Sequence, residues 1–160
     1  MQANRICFED VNVGDEIPRL VKGPMSPAHI MRWSAASENW HRIHYDEKYA
    51  MEHDGLPGVV VNGSFKQHVL IQLLTDWVGE EGWLWKVGFQ FRGMNIAGET
   101  LKAWGRVKDK RLAGQYGVVT LEVGLVNDKD AEGTPGTATV VLPTRGGPAV
   151  PYPFDPALVS

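Results

Sequence analysis

The segment from Ser64 to Val78 constrains this 160-residue chain more than any other. Phe65, Val69, Leu70, Leu73, Leu74, Trp77 and Val78 recur at steps of three and four, the spacing that gathers side chains on one face of an α-helix. Ile71 widens the stripe, so this helix is expected to be buried on most sides, with Gly79 placed to end it. A helix this apolar has to be wrapped, and the wrapping follows at once in the chain. Past Gly82 the period changes to two: Trp83, Trp85, Val87, Phe89 and Phe91 alternate with Leu84, Lys86, Gly88 and Gln90. Further strands are expected at Leu101–Val107, Val118–Val126 and Thr137–Leu142. Turn-forming stretches at 95–98, 109–117 and 127–136 separate them. The arrangement is α+β: a long antiparallel curved sheet wrapped around a buried central helix at about 64–78. One sheet covers only one side of that helix. A second copy of the chain closes the other side and shields an edge strand, so a homodimer, or a higher oligomer built of dimers, is expected.

Upstream, Gly14-Asp15 marks a turn and Leu20-Val21 a short strand. Ser26-Pro27 reads as a helix start, with serine as N-cap and proline where its missing N–H has no partner to lose. That helix is expected to run to about Glu38, with Ile30, Trp33 and Ser34 on one face. No linker divides the chain, so residues 1–147 read as a single domain. Residues 148–160 hold Pro148, Pro151, Pro153 and Pro156 and read as an extended, polyproline-like tail.

Several function classes are disfavoured by composition. Sixteen Lys and Arg against nineteen Asp and Glu leave a formal charge of −3, no basis for expecting nucleic acid or an anionic membrane as partner. A lone cysteine, Cys7, excludes an internal disulfide framework. No apolar run approaches the ~18 residues of a membrane-spanning helix, and the opening residues lack the apolar core of a secretory signal. A cytoplasmic protein is the expectation.

Chemistry concentrates between the two helices, where residues 39–62 have little periodicity and many polar side chains. His41 and His44 lie three apart, and imidazole titrates where general acid–base catalysis needs it. Two readings stand: a catalytic pair, or hydrogen-bonded loop histidines. A metal pair completed by His29, His53 or Asp46 is a weaker third, since the spacing is not that of a zinc site and there is no cysteine cluster. No metal or cofactor is therefore expected. Asn62-Gly63-Ser64 opens the long helix, where free backbone amides and the helix dipole can stabilise an oxyanion; an ordinary turn and cap is the alternative. Arg42 can hold a substrate carboxylate or pair with Asp46 or Glu38. Trp40 is the tryptophan placed to line a pocket. Lys102, Arg106, Lys108 and Lys110, at even spacing, form either a phosphate-binding stripe or a solvated strand face.

The order of these pieces resembles a known family. A helix is followed by Asn39-Trp-His-Arg-Ile-His-Tyr-Asp46, then Pro57-Gly-Val-Val-Val-Asn-Gly63, the buried helix, Phe89-Gln-Phe-Arg92 and Ile96-Ala-Gly-Glu-Thr-Leu101. This is similar to the MaoC-like branch of the hotdog fold, the (R)-specific enoyl-thioester hydratases and 3-hydroxyacyl-thioester dehydratases, over roughly residues 8–142. In that family's Gly-Asp-x-Asn-Pro-x-His motif, Glu38, Asn39, His41, Arg42 and His44 stand on the Gly, Asp, Asn, Pro and His places, and Asn62-Gly63 on a His-Gly pair. The resemblance implies a hydratase or dehydratase acting on an acyl thioester of coenzyme A or a carrier protein. In it, His44 is the catalytic histidine and Gly63 the oxyanion donor; Asn62, Ser64, Arg42 and Trp40 are the further residues expected to bind substrate. Asn39 replaces the family's aspartate, and an amide cannot serve as a base. The form His-Arg-Ile-His-Tyr-Asp looks like a subgroup that includes mesaconyl-thioester hydratases and dehydratases related to mitochondrial fatty acid synthesis. There His41 takes the place of the missing carboxylate, while Asn39 orients the water. The alternatives are a non-catalytic thioester-binding subunit and a hotdog thioesterase. The latter wants a carboxylate at the helix mouth, and the helix offers only Asp76, far from that end.

Overall fold

A computed structural model describes residues 6–160. The chain enters through a short 3-10 turn at Phe8–Asp10 and a three-residue strand β1 (Leu20–Lys22), followed by helix α1 (Pro27–Ala36). An irregular stretch with a 3-10 turn at Arg42–His44 and a π-helical turn at Tyr49–His53 leads to helix α2 (Gly63–Val78). Four strands follow: β2 (Trp83–Phe89), β3 (Leu101–Ala113), β4 (Tyr116–Val126) and β5 (Gly136–Pro143). They form one antiparallel sheet in the order β1-β3-β4-β5-β2. Among the described residues β1 and β2 are its edges.

The sheet closes over α2 through side chains one strand-period apart. Leu101, Ala103 and Val107 of β3, Leu121, Val123 and Leu125 of β4, and Ala138, Val140 and Leu142 of β5 face the helix. Val69, Leu70, Leu73, Leu74 and Val78 of α2 fill the space between. Within one chain the helix is covered on this side only. Gln67, His68, Thr75 and Asp76 are exposed and Ile71 is half-buried, so the wide apolar stripe overstates the burial that a single sheet provides. The model gives the expected Ser26 cap, whose Oγ accepts from His29 N at 3.2 Å, and ends α2 at Gly79 with φ 71°. Helix α1 stops at Ala36, two residues short of expectation, because Glu38 turns into the left-handed region at φ 51°.

Strand β3 outruns its sequence signal by six residues. Its register with β4 shifts between Val107 and Asp109, so a bulge at Lys108 breaks the alternation of apolar and polar residues. The expected long turn at 109–117 shrinks to Gly114-Gln115, with Gly114 at φ +58°. Beyond the bulge the strands bury their other face as well. Ala113, Tyr116, Val118 and Val141 pack with Val150 and Val159 of the C-terminal segment, flanked by Trp83, Trp85 and Phe154. That segment is bonded to its own chain: Val150 N donates to Glu81 O at 2.8 Å and Arg111 Nη2 to Val159 O at 2.8 Å. It differs from a plain polyproline tail in closing with a 3-10 turn at Pro156–Val159, capped by Asp155.

Leu74 is fully buried between α2 and the sheet. Leu74→Ala is expected to lower unfolding free energy by about 2–5 kcal/mol, measured from denaturant midpoints at unchanged m-value.

Candidate active site

The site is assembled where three loop segments meet the first turn of α2. Backbone pairing holds them together. Val60 N donates to Ile43 O at 2.9 Å, Val61 N to Asn95 O at 2.8 Å and Ala97 N to Val59 O at 2.8 Å. Residues 59–61 are thus sandwiched between the His44 loop and the 95–97 loop immediately before the helix begins.

His44 is 8 % exposed, and its Nδ1 lies 2.8 Å from Val60 O. A carbonyl only accepts, so Nδ1 carries the hydrogen and the neutral ring keeps its Nε2 lone pair as a base. Burial pushes this imidazole below the ordinary histidine value of 6.5, the Val60 carbonyl pulls it partly back up, and the nearby His41 lowers it further. The His41 ring sits with its centroid 6.0 Å from that of His44, at 66° to it, and His41 is exposed. Asn39 Oδ1 accepts from His41 N at 3.3 Å, an Asx-type turn that sets the entry to the Arg42–His44 turn.

The arrangement at the helix opening is equally specific. Asn62 is fully buried, and its side chain reaches back to α1: Nδ2 donates to Ser34 Oγ at 3.0 Å, while Ser34 Oγ lies 3.4 Å from Asn62 Oδ1. Ser64 Oγ accepts from Trp33 Nε1 at 2.9 Å. Two side chains of α1 therefore latch the two residues flanking Gly63. The Asn62 carbonyl accepts from Phe65 N and Lys66 N at 3.1 and 3.2 Å, while the N–H groups of Gly63 and Ser64 have no acceptor among the described residues. Gly63 is also a close-approach position: a Cβ there would lie 3.1 Å from the Phe91 ring.

Other singled-out residues fall elsewhere. Arg42 grips Asp46 Oδ2 with Nε at 3.1 Å and Nη2 at 2.6 Å, and its guanidinium lies 4.2 Å from the Tyr49 ring centroid. Asp46 is held below the usual carboxylate range by the Tyr49 backbone N–H first and by Arg42 second. Trp40 is 58 % exposed, and its carbonyl takes a bond from Tyr45 Oη at 2.7 Å. The expected basic stripe is neutralised in place. Lys102 meets Asp130 at 3.2 Å, Arg106 meets Glu16 at 2.7 Å and Lys108 meets Glu122 at 3.4 Å, while Lys110 caps the carbonyls of Phe8 and Val11. Among the described residues no three His, Cys, Asp or Glu side chains converge as a metal cage. Sequence reasoning read Ser34 and Phe91 only as helix-face and strand residues and passed over Lys66. The last left a visible signal, a lysine three and four residues before Val69 and Leu70, inside the apolar stripe.

Known proteins share both this fold and this segment. Among solved structures, an (R)-hydratase from A. caviae involved in PHA biosynthesis superposes with a TM-score of 0.74 at 22 % identity, covering 84 % of this chain and 99 % of that one. A MaoC-like dehydratase from Rhodospirillum rubrum superposes with a TM-score of 0.75 at 19 % identity, covering 88 % and 98 %. These likenesses establish the hotdog fold. In sequence, the chain is 39 % identical over 80 residues to Mesaconyl-C(4)-CoA hydratase of Chloroflexus aurantiacus, a stretch that is 50 % of this chain and 26 % of that protein. Residues 16–99, which carry β1, both helices, the histidine loop and β2, match the family of hydroxyacyl-thioester dehydratases type 2. This match takes in more than half of the sequence, and the chain belongs to that family.

Proposed function

We propose that this chain adds water across the C2=C3 bond of a 2-enoyl thioester, or removes it from the 3-hydroxyacyl thioester. The observation that carries this reading is the fixed tautomer of His44, a buried neutral imidazole bonded to the carbonyl of Val60, two residues before Asn62. In hydration, His44 Nε2 takes a proton from water as the water oxygen bonds to C3. The C2=C3 electron pair moves toward the carbonyl, and the enolate oxygen is held by the free Gly63 N–H. Return of a proton to C2, from His44 or from His41 beside it, restores the thioester. One water is consumed, and no electrons are gained or lost. Asn39 stands where the resembling family has its aspartate; its Nδ2, the end not engaged by His41 N, orients the water.

Coenzyme A or a carrier protein is the thiol of the substrate in this reading. The reading also takes the working unit to be a dimer, with the free side of edge strand β2 meeting a second copy. It places the protein in the cytoplasm, which suits a single buried free thiol. Arg42 is occupied by Asp46 and Tyr49, so a role on a substrate carboxylate requires it to exchange that partner. The amide at Asn39 favours a second reading, a thioester-binding subunit without turnover of its own. The thioesterase reading lacks support, since Asp76 lies in the last turn of α2, at the end remote from His44.

Wild-type protein incubated with short, branched and dicarboxylic enoyl-CoA substrates is expected to consume the conjugated thioester, followed by its ultraviolet absorbance. Binding of these thioesters without turnover would favour the second reading. His44→Ala is expected to lower kcat by about 10²–10⁴-fold; a rate within a few fold of wild type would remove His44 as the base.

The direction of the His44 shift also predicts a stability effect. Between its depressed folded value and 6.5, the unfolded chain binds a proton that the folded chain refuses. Stability is therefore expected to fall as pH drops below 6.5, and His44→Asn to lose that component. Denaturant midpoints at about pH 7.5 and about pH 5.5 measure both.

A further inference from the structure

Lys66 is 3 % exposed, the one buried lysine or arginine among the described residues. It occupies the fourth position of α2, where two effects oppose it. Burial strips its ammonium of water, and the positive end of the helix dipole repels it. Among the described residues no carboxylate pairs with it directly. Glu99 is engaged by Asn95 Nδ2, Ile96 N and Asn127 Nδ2, and Glu132 by Trp104 Nε1, Leu125 N and Thr134 N. Both act on Lys66 only through their charge, and burial still pushes its ammonium down from the ordinary lysine value.

What Lys66 does hold is a carbonyl: Nζ donates to Gly93 O at 2.7 Å. Gly93 belongs to the loop leaving β2, which is also anchored by Gly133 O, accepting from Arg92 N at 2.9 Å and Gly93 N at 3.0 Å, and by Pro135 O, accepting from Gln90 N at 3.0 Å. Two residues before Gly93, Phe91 lies with its ring centroid 5.1 Å from Lys66 Nζ and its edge against Gly63. Phe91 is 52 % exposed; its ring also meets Phe89, centroids 5.3 Å apart, so the 91–93 loop sets where it lies. A chain of contacts thus runs from Lys66 through Gly93 and Phe91 to the opening amide of its own helix.

We propose that Lys66 is a positioning residue: from inside α2 it fixes the loop at 91–93 so that the Phe91 ring walls the mouth at Gly63, where the substrate carbonyl docks. The catalytic part of this rests on the hydration reading; the positional part does not. A wall of hydrocarbon beside the Gly63 N–H excludes water from one side of the developing oxyanion and strengthens that hydrogen bond. A lysine reaches across to Gly93 with a single flexible arm, which a shorter neutral donor does not.

Two measurements on the full chain test this. In the first, the Gly63 amide resonance, which feels the ring current of Phe91, is followed by heteronuclear NMR. Lys66→Met and Phe91→Ala are expected to move it in the same direction, and Lys66→Arg to leave it near the wild-type position. A folded Lys66→Met with an unmoved Gly63 resonance overturns the proposal. Should Lys66→Met not fold, Lys66→Gln is judged by the same criterion. In the second, Lys66→Met is expected to lower kcat by about tenfold or more with KM within about threefold, and Lys66→Arg to recover most of the rate. Unchanged kcat per folded molecule overturns the catalytic part. Absence of turnover in wild type counts against the hydration reading and leaves the NMR result to decide the position of Phe91.

Discussion

A single hydrogen bond, from His44 Nδ1 to the carbonyl of Val60, fixes the histidine on which the proposed hydration rests. It decides which ring nitrogen carries hydrogen, and it ties the histidine loop to the strand-like stretch that runs into α2. The tie is reciprocal, because Val60 N returns a bond to Ile43 O. Desolvation then keeps the ring neutral. A histidine on a freely moving loop would have none of these properties, so the backbone pairing of residues 59–61 is as much part of the site as the imidazole.

The helix opening is fixed by the same kind of device. Asn62 does not cap its own helix; it reaches back to Ser34, and Trp33 binds Ser64. The Asn62–Ser34 bond is buried, where leaving one partner unsatisfied costs roughly 1–3 kcal/mol, while the Trp33–Ser64 bond is exposed. They pin the registration of α1 against α2 more narrowly than apolar contacts alone, since a hydrophobic face tolerates sliding and a buried amide does not. Gly63 sits between the two latched residues, and its N–H has no acceptor among the described residues, as the proposed oxyanion role requires.

Hydrophobic period carried the fold because it reports which face each element buries. The stripe on α2 and the alternation of β2 placed both elements within a residue or two. The signal failed where packing departs from one buried face. At Lys108 a bulge reverses the alternation, and beyond it the sheet is covered on both sides, so β3 read as a turn from Asp109 onward. The site was readable as a list of residue types at suggestive spacing. Their partners were not. Arg42 with Asp46 is a local i,i+4 pair and was weighed as such, whereas Ser34 with Asn62 and Lys66 with Gly93 join positions 28 and 27 apart and carry no local pattern. A lone lysine in an apolar stripe marks an anomaly without naming what it reaches.

The order of strands has a consequence for how the molecule breathes. Strand β3 pairs with β4 along nearly its whole length through a two-residue turn, whereas its other edge meets only Leu20–Lys22 of β1 and, apart from them, residues 14–17. Short loops and long ladders hold fast; a short, interrupted seam joined across some eighty residues of sequence is the cheapest part of the sheet to open. Release of β1 frees the approach to α1 while α2 stays gripped by β3, β4 and β5. Amide hydrogens of residues 20–22 are thus set to exchange with solvent through a partial opening that never requires the hairpin core to part.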